Sequence, residues 1–206
     1  MRNIARLREF VQRLTNLIED GADERRIFLE GRDLLSQLVR RDDWLPDVFS
    51  QPHPATYRQH LLHCDPLERF SVVSFVWGPG QKTPVHDHTV WGMVGVMRGA
   101  EACEEFELQP ATGRLVATGT HELTPGAVDL VSPRVGDIHS VSNALADRVS
   151  VSIHVYGANI GAVKRHVYDR DTGKSTGFIS GYSNVELPNL WDRSLESSDQ
   201  AYSSDP

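Results

Sequence analysis

The stretch GQKTPVHDHTVWGMVGVMRG, residues 80 to 99, decides how this chain is read. It opens on a turn glycine, places His86 and His88 two residues apart in strand-like sequence, and closes on Gly99. Residues two apart on a strand project from the same face, so the two imidazoles point together and can converge on one ion. Imidazole is the commonest metal ligand near neutral pH. By itself such a pair reads equally well as a polar strand face, so its surroundings carry the weight.

Outward from this stretch the sequence is β-rich. Short runs appear from residue 56 onward: TYRQHLL, RFSVVSFVW, VWGMVGVM, ACEEFEL, RLVATGTHEL, AVDLVS and RVSVSIHVYG. Turn signals at Gly78-Pro79-Gly80, Ala111-Thr112-Gly113 and Thr124-Pro125-Gly126 separate them. A further turn at Asp169 to Gly173 implies one more hairpin. Many short strands at regular spacing predict an antiparallel sandwich or barrel.

Two helices are expected ahead of the strands. Residues 3 to 19 place Ile4, Leu7, Val11, Leu14, Leu17 and Ile18 at three- and four-residue spacings, the pattern of an amphipathic helix. A second pattern runs from about Asp23 to Val39, and Pro46, Pro52 and Pro54 mark a connector. The tail from Ser194 is rich in Ser and Asp and is expected to be disordered. Residues 1 to 193 then form one domain.

The chain has 206 residues and a formal net charge of −7, which argues against a nucleic-acid binder. No apolar stretch approaches the roughly 20 residues that span a bilayer. The first residues are charged throughout and lack a signal-peptide core, so a cytoplasmic protein is expected. The two cysteines, Cys64 and Cys103, are too far apart to suggest a zinc-cysteine motif or a disulfide framework. Any metal must then be held by imidazole or carboxylate, and nine histidines are available.

A second constellation lies at Ser150, Ser152, His154 and Tyr156, alternating with Val149, Val151, Ile153 and Val155. Strict alternation predicts a strand. Its polar face is either a solvated surface or, beside a three-histidine site, a hydrogen-bond relay of Ser152, His154 and Tyr156 into a cavity.

The spacing Gly80-x5-His86-x-His88-x3-Gly92-x6-Gly99 resembles the first cupin motif, and Gly126, Pro133, Gly136, His139 and Asn143 resemble the second. The resemblance implies a mainly β fold, a small antiparallel barrel of the double-stranded β-helix type, with His86, His88 and His139 as metal ligands. Typical cupins place a glutamate ligand where this chain has Gly92. Three neutral histidines would leave a divalent ion its full charge and about three open positions, which suits an anionic sulfur or oxygen donor.

With the Ser152-x-His154-x-Tyr156 relay added, the chain resembles the thiol dioxygenases of the cysteine dioxygenase type I family over about residues 1 to 190. This implies Fe(II), one per chain, with dioxygen as co-substrate and a small thiol oxidised to its sulfinic acid. Mammalian members carry a cysteine near the Gly92 position that crosslinks to the relay tyrosine, so Tyr156 is expected to be uncrosslinked. They also hold the substrate carboxylate with an arginine where this chain has Gln59. Here the chain is similar to the glutamine-type bacterial branch, which prefers 3-mercaptopropionate and uses an arginine matched by Arg165. Arg58 is a weaker candidate because it faces the other side of its strand.

Two other readings use the same residues: another metal-dependent cupin enzyme, for which the relay and Arg165 would be coincidental, and a non-catalytic ligand-binding cupin. Imidazole sites bind zinc or nickel more tightly than iron, so the ligand set alone does not choose the metal, and nothing in the sequence reads on oligomeric state. Trp77, Trp91 and Met93 are candidates for the pocket wall or the core. The remaining histidines, His53, His60, His63, His121 and His166, read as surface or satisfied core residues. Glu101, Glu104 and Glu105 read as a solvated strand face.

Overall fold

The computed structural model describes residues 3–192, so the tail from Ser194 lies outside the described residues. The chain begins with α1 (Ala5–Glu19), whose Leu7, Phe10, Val11, Leu14 and Leu17 are buried. The second helical stretch starts as α2 (Glu24–Arg26), capped by the Asp23 side chain, which accepts from the Arg26 amide. It passes through a π-helical turn at Ile27–Gly31 and continues as α3 (Arg32–Val39). The expected second helix is thus present, with a wide turn inside it. A Cβ at Gly31 would come within 3.0 Å of Met93 Cε, so glycine lets the helix lie close on the strands.

Eleven strands follow among the described residues, all antiparallel. One sheet orders β1 (Arg58–Cys64), β2 (Ser71–Trp77), β9 (Ser150–Tyr156), β4 (Gly92–Arg98) and β7 (Val128–Val131). The other orders β11 (Ser175–Phe178), β10 (Arg165–Tyr168), β3 (Val85–His86), β8 (Ile138–Asn143), β5 (Glu101–Leu108) and β6 (Leu115–Leu123). Two antiparallel sheets with the chain passing repeatedly between them form the expected mainly β architecture, a small barrel of the double-stranded β-helix type. The β-rich runs did not mark β3, β8, β10 or β11, of which the last two were expected only from the turn between them. β3 and β8 carry His86 and His139.

The central strand β9 explains the layering. Val151, Ile153 and Val155 pack outward into the cluster that holds α1, α3, Met93 and Met97. Burial of each such side chain stabilises the fold by about 1.5–3 kcal/mol. Ser150, Ser152, His154 and Tyr156 lie on the opposite face, and all four are buried. The polar face of this strand is therefore the inside of the barrel, because the helices cover the apolar face. Trp77 and Phe75 from β2 flank it on the inner side. Met93 belongs to the helix-side core, and Trp91 packs half-buried against it.

The solvated-face reading of the β5 acids is corrected at one position. Glu101 is fully buried, whereas Glu105 is exposed. The alternation of β5 turns Glu101 and Cys103 inward together. His60 also departs from expectation, since both of its ring nitrogens are buried without a partner among the described residues.

Candidate metal centre and pocket

His86 ends β3 and stands directly opposite His139 in the β3–β8 ladder. His88 lies two residues beyond His86, but β3 has already ended, and Thr89 takes a left-handed backbone with φ of 61°. Beyond the end of the ladder, Asp137 anchors His88: its Oδ1 accepts from the backbone amide and Nδ1 of His88, both at 3.0 Å, and its Oδ2 accepts from the Thr89 amide. Sequence reasoning missed Asp137 because its partners lie 49 positions away. Asp87, between the histidines, turns to the other side. There it accepts from the His166 amide and ring and from the Tyr168 hydroxyl, pinning β10.

The three rings form a near-regular triangle with centroids 4.9, 4.9 and 4.8 Å apart, and their ligand atoms lie within 4.8 Å of one another. Each Nδ1 faces protein. His86 Nδ1 is 3.1 Å from the Pro84 carbonyl, which can only accept, so this nitrogen carries the hydrogen and Nε2 keeps its lone pair. Asp137, held below the ordinary carboxylate range by its bonds to His88 and neighbouring amides despite partial burial, fixes His88 the same way. His139 Nδ1 lies 3.5 Å from Cys103 Sγ. His88 Nε2 is buried with no partner among the described residues. Burial, followed by the neighbouring His88, lowers His86 to about 3, and burial likewise holds His139 well below the ordinary range. Three neutral imidazoles with outer nitrogens tied back, and one inner nitrogen orphaned, fit a bound metal ion.

The relay residues form a continuous chain. Trp77 Nε1 donates to Ser152 Oγ at 3.2 Å, Ser152 Oγ and His154 Nε2 are 2.8 Å apart, and His154 Nδ1 and Tyr156 Oη are 2.8 Å apart. Indole can only donate. The chain permits Ser152 to donate to His154, and His154 to Tyr156, leaving the tyrosine hydrogen for the cavity. Burial keeps His154 neutral and raises Tyr156 above the ordinary phenol range. Tyr156 stacks on His88 with centroids 5.4 Å apart. A Cβ at Gly92 would meet the Tyr156 ring at 2.8 Å and Val131 at 2.9 Å. Glycine at that position is what lets the ring lie flat against the strand, where no glutamate could stand.

Behind the relay sits Glu101. Ser150 Oγ is 2.9 Å from both Glu101 Oε1 and the Arg98 carbonyl. One hydroxyl hydrogen cannot serve two acceptors, whereas a protonated Glu101 donating to Ser150, which donates to Arg98, satisfies both contacts. Burial pushes Glu101 up to about 7, against the opposing effect of Ser152, Ser150 and Trp77.

A cavity of about 230 Å³ opens onto this centre, lined by His86, His139, Tyr156, Arg165, Gln59 and aromatic walls from Tyr57, Phe75, Trp77 and Phe178. Its size suits a small molecule. Arg165 is 4 % exposed, donates to Ser180 Oγ at 2.7 Å, and stands 4.7 Å over the Phe178 ring. It has no carboxylate partner among the described residues, and its Nε is buried and unpartnered. Gln59 Nε2 donates to the Gly181 carbonyl at 2.8 Å. The 181–184 segment is laced to β1 by further bonds to Gln59 and Leu61. Gln59 therefore spends part of its amide on holding a wall of the pocket. Tyr57, Phe178 and Ser180 carry no local motif and were not legible as pocket residues.

No family model matches the chain. Among solved structures it is similar to a protein of Thermus thermophilus, at 19 % identity over 54 % of this chain and 92 % of that one, with a TM-score of 0.43. It is also similar to a cupin superfamily protein of Desulfitobacterium hafniense, at 13 % identity over 58 % and 94 % of the two chains, TM-score 0.42. A third is an oxalate oxidase in complex with the substrate analogue glycolate, at 15 % identity over 57 % and 62 %, TM-score 0.41. The chemistry of this pocket is set by its own side chains.

Proposed function

We propose that the chain is a non-haem Fe(II) thiol dioxygenase, converting a small carboxylate-bearing thiol and dioxygen to the sulfinic acid. The reading rests on one observation. A three-histidine triangle, a tyrosine-terminated relay and a buried arginine without an acidic partner among the described residues all meet at the same small cavity. His86, His88 and His139 would hold the ion. Fe(II), when bound, supplies the redox chemistry that brings a thiol sulfur and dioxygen together.

Arg165 binds the substrate carboxylate. A buried cation lacking a counter-charge is costly to keep, and an entering carboxylate offsets that cost through charge-assisted hydrogen bonds. Ser180 and the Phe178 ring fix the guanidinium in place before substrate arrives. Gln59 offers its second amide hydrogen to the same end of the substrate. Tyr156, supported by His154 and Ser152, directs its hydroxyl hydrogen at the reacting end, and the Tyr57, Phe75 and Trp77 walls exclude water. Among the described residues no acidic side chain lines the cavity, so a substrate ammonium finds no counter-ion there. 3-Mercaptopropionate is the preferred substrate on this reading, with L-cysteine as the poorer one.

The test is oxygen consumption by the Fe(II)-loaded protein with a panel of small thiols, with the sulfinate identified by mass. Uptake coupled to sulfinate formation supports the reading. A metal-loaded protein that consumes no oxygen with any of these thiols excludes it in favour of another metal-dependent reaction.

A further inference from the structure

A second set of donors meets outside the histidine triangle. Cys103 of β5, His121 of β6 and Asp129 of β7 present ligand atoms within 4.8 Å of one another. Cys103 stands directly opposite His121 in the β5–β6 ladder, while Asp129 comes from the edge strand of the other sheet. The cluster therefore bridges the seam between the two sheets. His121 Nε2 is 3.0 Å from Asp129 Oδ2, and its Nδ1 is 3.8 Å from Glu105 Oε1. Only the Asp129 contact is at hydrogen-bond distance; with a cation at Nε2, Nδ1 carries the ring hydrogen and faces Glu105.

The surroundings favour positive charge. Asp129 and Glu105 bring carboxylate charge to the cluster, which attracts a divalent ion, and a bound ion holds a coordinating sulfur as thiolate. Access is available from a groove of about 800 Å³ that Cys103, Thr120 and His121 help to line. His121 and Asp129 are about one-third and one-quarter exposed, so a hydrated ion can reach them.

We propose that Cys103, His121 and Asp129 form a second metal site for a divalent cation of the zinc class, with Glu105 orienting His121 from behind. One sulfur, one nitrogen and one oxygen donor match that class, and a carboxylate on the distal imidazole nitrogen is its usual outer support. Three protein donors leave a position open toward the groove. The site differs in kind from the histidine triangle, which has no sulfur. The two are in contact, since Cys103 Sγ also lies against His139 Nδ1. Occupancy replaces the S–H beside that histidine with a metal thiolate.

The sulfur makes the test specific. The full chain is titrated with Co²⁺ while thiolate-to-cobalt charge-transfer absorption and bound cobalt per chain are followed. Wild type is expected to bind two cobalt ions and to develop the thiolate band. Cys103→Ala should bind one and lose the band. His121→Ala and Asp129→Asn should weaken the band-forming step by about tenfold or more. Cys64→Ala should keep the band, and so should His88→Ala, which dismantles the first site and so separates the two. Asp129 is partly exposed, so Asp129→Asn carries the test if Cys103→Ala fails to fold. A wild-type protein with no thiolate band, a band that persists in Cys103→Ala, or affinity unchanged in Asp129→Asn overturns the site.

Discussion

Asp137 holds His88 at both ends of the residue, taking its backbone amide and its ring Nδ1–H on one carboxylate oxygen while the other oxygen takes the Thr89 amide. This bond set anchors His88 past the end of the β3 ladder. The third candidate ligand of the triangle is thus held by a residue outside the triangle. Asp137→Ala should lower metal affinity by about 10- to 100-fold, measured by chelator competition. Asp137→Asn should lose less, since its amide oxygen still accepts from Nδ1–H. Equal affinity in wild type and Asp137→Ala would show that His88 is placed by other means.

Replacing His86, His88 or His139 with Ala should remove most bound iron and activity while the far-ultraviolet circular dichroism of the barrel persists. His86 and His139 line the cavity, His88 lies buried beside them, and the core around α1 and α3 is built from other residues. An iron-replete, active His139→Ala protein would contradict the ligand assignment.

Tyr156 should carry no thioether, because the backbone position against its ring is Gly92 and no sulfur is available there. Intact mass shows whether two hydrogens are missing; a peptide linking Tyr156 to Cys64 or Cys103 would refute the expectation. Tyr156→Phe should bind iron normally and turn over about 10²-fold more slowly, the range for loss of a positioned proton donor.

Arg165→Ala should raise KM for 3-mercaptopropionate by about 10- to 100-fold, since a hydrogen bond to a charged group contributes about 1.5–3 kcal/mol. Cysteamine has no carboxylate and should be little affected. Unchanged 3-mercaptopropionate kinetics, or cysteamine as the best wild-type substrate, would show that the guanidinium does not receive the substrate.

Glu101 gives the fold a pH dependence of definite sign. Its folded-state value of about 7 lies above the ordinary 4.5, so the folded chain binds this proton more tightly than the unfolded one. The contribution is full below about pH 4.5 and is lost as pH rises through 7, amounting to about 3 kcal/mol. Urea midpoints at pH 5 and pH 8 should differ in wild type and differ less in Glu101→Gln, which cannot ionise. The same pH slope in both proteins would place the titrating group elsewhere.

Local pattern was enough for much of this protein. Helical spacing located α1 and the stretch that becomes α3, and turn residues separated most strands, because these depend on contacts within a few positions. The strict alternation of residues 149 to 156 marked β9, and the triangle and relay residues were named from their spacing together with the cupin resemblance that this spacing carries. What alternation could not say is which face of β9 is inside. That was decided when α1 and α3 covered Val151, Ile153 and Val155 and turned the polar row into the barrel. Glu101 was misread for the same reason, since one strand face looks solvated until a second sheet closes over it. Asp137, Ser180, Phe178 and the Cys103–His121–Asp129 cluster have no local signature at all, because each acts on residues brought near only by sheet pairing. Sequence spacing determines which side chains share a face. Only closure of the two sheets decides what that face meets, because burial and hydrogen-bond partners depend on segments distant along the chain.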